Sequence, residues 1–382
     1  MPTPSLLIVP ARFKTGKLYS QIPTSGAGDF TVTRNTAATR FGPDGLIASV
    51  ASGIPRLDYY TSGGVTGCPA LLVEPAATNL ALHSRDLTNA VWSGTNVTRA
   101  KNAVGADGVA SGATTLTATA ASGTVLQALS HASQSRVFSA YVRRVTGTGA
   151  IQMTTNGGTN WTTVTISSLY TQVACAAQTI ASGTVGFRMA VSGDVIEVDF
   201  TQGEVGPVAT SPIPTTAGTG SRSADVISVS GAVSGSIGQT EGTIYAEVDV
   251  RTFASSAARR IVNLRVDGNN LLSLEINTAS TNIEFVATSG GVSVTAVASG
   301  LTAGITKIAV GYNSATNGTA LYVNGTLRDT KTIAIPNLSA AVFGLGVRGD
   351  GSAGTQLNDR IRAAALYTTR LTNAELATLT TP

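Results

Sequence analysis

Apolar and polar residues alternate with a period of two through much of the chain. That period predicts β-strands, because successive side chains of a strand point to opposite faces. Residues 137–145 and 195–200 read this way, as do 243–250, 282–286, 306–312 and 320–325. Turn sequences such as Asn156-Gly157-Gly158 and Ser192-Gly193-Asp194 separate such runs, and loops of this kind join antiparallel neighbours. The pattern predicts antiparallel β-sandwiches, the earlier one jelly-roll-like.

Composition agrees with the pattern. The 382 residues include 42 Gly, and only 12% are charged. β-Branched residues suit a pleated surface and Gly supplies turn conformations, so an all-β protein is expected. Its length calls for more than one domain. Eight of the thirteen prolines precede residue 76, from Pro2 to Pro75. Pro removes a backbone donor and favours extended geometry, which predicts an extended segment over 1–75 with no core of its own. Two sandwiches over 76–212 and 224–382 are then joined by a Pro-rich linker, 213–223.

Charge adds little. The net charge of +4 is spread along the chain, without the basic block that a nucleic-acid or anionic-membrane partner would need. Arg259-Arg260 and Arg143-Arg144 are the densest points and read as solvated strand ends. No stretch approaches the about 18 apolar residues of a membrane helix, and the first residues lack a signal-peptide pattern; synthesis in a cytoplasm is expected. Cys68 and Cys175 are far apart and read as free buried thiols, and with His83 and His131 they do not form a zinc-ligand spacing.

Several short elements follow one another in the amino-terminal third: Pro55-Arg56-Leu57-Asp58-Tyr59, Cys68-Pro69-Ala70-Leu71-Leu72-Val73-Glu74-Pro75, Thr78-Asn79-Leu80, and Ser84-Arg85-Asp86-Leu87 with Asn89 and Trp92. The Pro-rich joint 207–216 and Ala224-Asp225-Val226 come later. In this order and spacing the series resembles a family of bacteriophage tail and structural proteins in which such elements precede a carbohydrate-binding-like sandwich. The last segment resembles a concanavalin-like, laminin-G-type sandwich, through its Asn324-Gly325-Thr326 hairpin and the late strand 360–367. In that family a short helix follows this strand, here Thr372-Asn373-Ala374-Glu375-Leu376, with Thr372 placed to cap it.

The resemblance implies a virion surface protein of fibre or decoration type, a homotrimer made in the host bacterial cytoplasm. It makes 1–75 the part that docks on other virion proteins, with Arg56, Asp58, Tyr59, Cys68 and Glu74 as its marked residues. Two roles follow: adsorption to a host surface glycan through the distal sandwich, or purely structural reinforcement. Sugar contact calls for an exposed aromatic platform; Trp161, at a turn tip, with Tyr312 and Tyr322, are the candidates, whereas Trp92 reads as core.

A third role, glycan depolymerase, needs a carboxylate pair about 5–10 Å apart. Glu247 with Asp249 and Glu197 with Asp199 each share a strand face, yet one polar face is expected of any half-buried strand. No nucleophile motif or phosphate-cradling loop occurs, so no catalytic residue and no organic cofactor is assigned. Asp267 and Asp350 sit in loops where calcium is the one metal conceivable, although calcium takes about six to eight oxygens and each loop offers a single carboxylate.

Overall fold

The computed structural model describes residues 1–14, 16–62, 65–230, 235–253, 257–277 and 281–382. Nearly all regular structure is antiparallel β, as the period-two pattern predicts, with a single helix among the described residues, Asn373–Thr380. The chain forms two units. The first comprises Met1–Ala37, Val50–Ala76 and Ser223–Pro382; the second comprises Ala38–Ser49 and Ala77–Arg222.

This division corrects two expectations. Residues 1–75 are not a separate extended segment. Leu6–Lys14 pairs with Asp359–Tyr367 near the other end of the chain, Phe30–Thr33 pairs with Val226–Val229, and Ala70–Val73 also pairs with Asp359–Tyr367. Leu6, Ile8, Leu18, Phe30, Leu71 and Val73 lie in one core with Ile244, Phe285 and Phe343. The prolines punctuate these strands instead of preventing them. Pro10 falls in the register shift between Ile8 and Phe13, a place where a missing N–H is tolerated.

The 213–223 stretch is likewise no free linker. Asn79 Nδ2 donates to Ile213 O at 2.8 Å, Ile213 N donates to Gln202 Oε1 at 2.6 Å, and Thr215 Oγ1 donates to Ala81 O at 2.5 Å. Gly220–Arg222 then pairs with Ala77–Asn79. A Pro-rich sequence has few backbone donors of its own, and here polar side chains of the second unit satisfy its main chain.

In the first unit a hydrogen-bonded path of strands runs from Val292–Ala298 at one end to Thr326–Lys331 at the other. Those two end strands meet, since Val297 N donates to Asp329 Oδ2 at 3.0 Å, so the sheet curls round its own core. Glu241–Val250 shows how sequence sets this geometry: Ile244, Ala246, Val248 and Val250 face the main core, while Tyr245 faces outward. The helix covers that outer face, with Leu371 and Leu376 packed among Tyr245, Ala309, Tyr322 and Ala365. Thr372 caps it as expected: its hydroxyl accepts from Glu375 N at 3.3 Å while its own N–H donates to Glu375 Oε2 at 2.8 Å. The Thr372 N–H and hydroxyl both donate to this carboxylate and hold it below its ordinary range.

The second unit is a two-sheet sandwich. One sheet contains Ser93–Thr95, Gly123–Ala128, Thr184–Met189, Ile151–Thr154 and Thr162–Val164; the other is built on Val97–Ala103, Ala113–Ala118, Val195–Val205, Gln134–Thr146 and Thr171–Ala174. Phe138 of one sheet meets Phe187 of the other edge-on at 5.4 Å, and Trp92 closes the core with its Nε1 donating to Leu82 O. Each Val, Leu, Ile, Phe or Met side chain fully buried here stabilises the fold by about 1.5–3 kcal/mol.

Candidate functional site

Most residues marked by the sequence turn out to be structural. Arg56 is 1% exposed and donates to Glu74 Oε2 at 2.6 Å and to Asp225 Oδ2. Arg34 Nη1 donates to Asp225 Oδ1 at 2.9 Å, and Glu74 N donates to Asp225 Oδ2 at 2.9 Å. Arg360 Nε reaches Asp58 Oδ2 at 2.6 Å, its guanidinium lying over the Tyr60 ring. Burial works against the Arg56 cation, but Asp225 and Glu74 outweigh it and hold its pKa above the ordinary value. The elements Pro55–Tyr59 and Cys68–Pro75 therefore supply buried ion pairs inside the first unit. The polar groups of Arg56, Asp58 and Glu74 are used there instead of being offered at a surface; Tyr59 is half-buried and Cys68 exposed.

Further corrections follow from the same accounting. Arg259 is not solvated: it is buried and donates to Asp359 Oδ2 at 2.8 Å, beside Arg251 Nε at 3.1 Å from Asp359 Oδ1. Only one thiol, Cys175, is buried, and burial pushes it up to about 12. Tyr312 and Tyr322 are not platforms. Tyr312 shares its strand parity with Ile308 and Val310, lies in the core and donates to Gly238 O at 3.0 Å, while Tyr322 is under the helix.

The paired carboxylates face arginines: Glu247 meets Arg362 at 2.7 Å, Asp249 meets Arg360 at 3.5 Å, Glu197 meets Arg143 at 2.5 Å and Asp199 meets Arg85 at 2.8 Å. At the calcium candidates, Asp350 is held by Arg348 and Arg265, and Asp267 accepts from Asn269 N and Asn270 Nδ2. Among the described residues no group of three His, Cys, Asp or Glu is placed to hold a metal.

What remains is a sheet face. The outer side of the six-stranded sheet in the second unit is covered, because Phe41, Ile47 and Ala106 pack on Tyr141 and Phe200. The outer side of the five-stranded sheet presents a cross-strand row of polar side chains. Thr163 is opposite Gln152, Gln152 opposite Arg188, Arg188 opposite Thr124, and Thr124 opposite Thr95. At the strand spacing of about 4.8 Å, the four inter-strand steps of this row span about 19 Å. Arg188 Nε donates to Gln152 Oε1 at 2.7 Å, and Gln152 Nε2 donates to Thr163 Oγ1 at 3.3 Å.

Trp161 stands beside this row. The turn before it is fixed by Thr154 Oγ1, which accepts from Gly158 N at 3.0 Å, and by Asn156 Oδ1, which accepts from Asn160 N at 2.9 Å. Gly158 has a φ of +92°, and a Cβ there would come within 3.0 Å of the indole, so the ring packs on the glycine backbone. The Arg188 guanidinium carbon lies 4.6 Å from the ring centroid, a cation–π contact that orients both groups. The face offers hydroxyls, an amide, guanidinium N–H groups and a half-buried indole edge. Such a set can hydrogen-bond hydroxyl-rich ligands and has no acid–nucleophile pair.

Of the sequence candidates, only Trp161 stands at this row. Arg188, Gln152, Thr163 and Thr124 carried no motif and come together through strand register alone.

No protein-family model matches the chain, and no curated protein matches it. Parts of it are similar to solved structures. The CBM40 of the Ruminococcus gnavus IT-sialidase, bound to α2,3 sialyllactose, is 18% identical, with a TM-score of 0.33, over 38% of this chain and 84% of that one. Domain 4 of AbnA, a GH43 extracellular arabinanase from Geobacillus stearothermophilus in complex with arabinotriose, is 16% identical, with a TM-score of 0.33, over 41% and 73%. The NanB sialidase from Streptococcus pneumoniae is 15% identical, with a TM-score of 0.34, over 41% of this chain and 27% of its own length.

Proposed function

We propose that this protein binds glycan through the outer face of the five-stranded sheet, and does so as a surface component of a bacteriophage virion. The observation that carries the glycan half is the uncovered row Thr163–Gln152–Arg188–Thr124 beside Trp161. Oriented polar groups next to an aromatic ring suit a ligand with many hydroxyls and apolar ring faces. The virion half rests on the ordered sequence elements of the amino-terminal third and the Pro-rich joint. Adsorption is thereby assigned to the second unit, in place of the carboxyl-terminal sandwich. Weak single-site binding is multiplied by copy number on a particle, and assembly as a homotrimer belongs to the same reading.

A glycan array with the full chain tests the first half. Binding of at least one oligosaccharide class is expected, weakened about tenfold in Trp161→Ala. A silent array, or an unchanged affinity in that variant, would remove the site. Antibody against the chain, imaged on purified virions, tests the second half: label on the particle is expected, and its absence from virions of a phage encoding the chain would refute the assignment.

A further inference from the structure

We infer that the ligand of this face is an acidic sugar whose carboxylate is taken by Arg188, an inference that rests on the glycan reading and deepens it. Along the five strands Ser93–Thr95, Gly123–Ala128, Thr184–Met189, Ile151–Thr154 and Thr162–Val164, Arg188 is the single charged residue. The Asp and Glu residues of the second unit all lie on other elements. Its neighbours make it a poised group. Nε is held by Gln152 and the guanidinium is laid on the indole, whereas no carboxylate among the described residues is within 4 Å of it. The contrast is with Arg56, Arg85, Arg143, Arg259 and Arg360, each paired with an acid of its own unit.

A guanidinium pre-oriented in this way presents parallel N–H groups to a planar carboxylate, the geometry in which Arg outperforms Lys. Gly186, with a φ of +156°, is on the adjacent outer row opposite Leu126 and Thr154. A Cβ there would come within 2.0 Å of Val125 O and 2.8 Å of Leu126 Cδ2, so the residue is held to glycine and adds no side chain of its own beside Arg188.

The test measures binding of the full chain to two matched pairs by calorimetry: oligogalacturonate against its methyl ester, and sialyllactose against its methyl ester. One acid is expected to bind about 10- to 100-fold tighter than its neutral partner, and which pair responds separates a uronate from a nonulosonate source. In Arg188→Gln that preference disappears; in Arg188→Lys it returns in part, with a steeper dependence on salt. Unchanged thermal melting shows that the variants remain folded. Equal binding of acid and neutral partners, or a preference kept in Arg188→Gln, overturns the inference while leaving the glycan site standing. Failure of all four probes and of the array overturns both.

Discussion

Replacing Asp225 by Asn tests the ion-pair account of the first unit most directly. Asp225 Oδ1 accepts from Arg34 Nη1, and Oδ2 accepts from Arg56 and from Glu74 N. Two cations and two carboxylates, all nearly inaccessible to water, balance in this group. The amide is close in shape, but it leaves one buried positive charge uncompensated and points an N–H group at existing donors. Breaking a buried pair from one side costs about 3–5 kcal/mol, about a fifth or more of the about 5–15 kcal/mol that stabilises an ordinary domain. With a urea dependence near 3 kcal/mol per M, the midpoint should fall by about 1–2 M. Both tryptophans, Trp92 and Trp161, belong to the second unit, so fluorescence follows that unit while tyrosine absorbance and circular dichroism include the first. The expected result is an early transition in the latter signals with the tryptophan transition unmoved. A midpoint shift under about 0.2 M, the size of an ordinary surface effect, would refute the account.

Other outcomes follow from single contacts. Thr372→Ala removes the cap of the terminal helix and should cost about 1 kcal/mol, read as a lower urea midpoint for the first unit with a normal tryptophan signal. A thiol reagent at pH 8 should modify Cys68 and spare Cys175 in the native protein, and modify both in denaturant. The folded Cys175 thiol holds its proton to about 12, against 9.0 for the ordinary group. The folded state thus binds more protons in that window, and stability should fall as pH rises through it, measured as midpoint against pH. The Trp161 and Arg188 variants complete the set.

The strand pattern was legible because side-chain alternation is local: residues 195–200 and 243–250 are strands in the structure where the period-two pattern placed them. Thr372 was legible as a cap for the same reason. The membership of Leu6–Lys14 was not, since its partner Asp359–Tyr367 lies at the other end of the chain and no local signal carries that pairing. Arg56, Asp58 and Glu74 could be picked out from their motif, but not assigned a role. A charged residue in a strand reads as solvent-facing until its partners, here as distant in sequence as Asp225 and Arg360, are known.

By itself the sequence determined the all-β class, the turns, the helix cap and the scarcity of reactive groups, all of which depend on residues a few positions apart. Tertiary structure decided which strands share a sheet, hence that the first 76 residues divide between two units and that Tyr312 and Tyr322 are core. It also decided the candidate face. Thr163, Gln152, Arg188 and Thr124 come from four separate strands and become neighbours only through hydrogen-bond register, and a register shift of one residue would turn them to the opposite side.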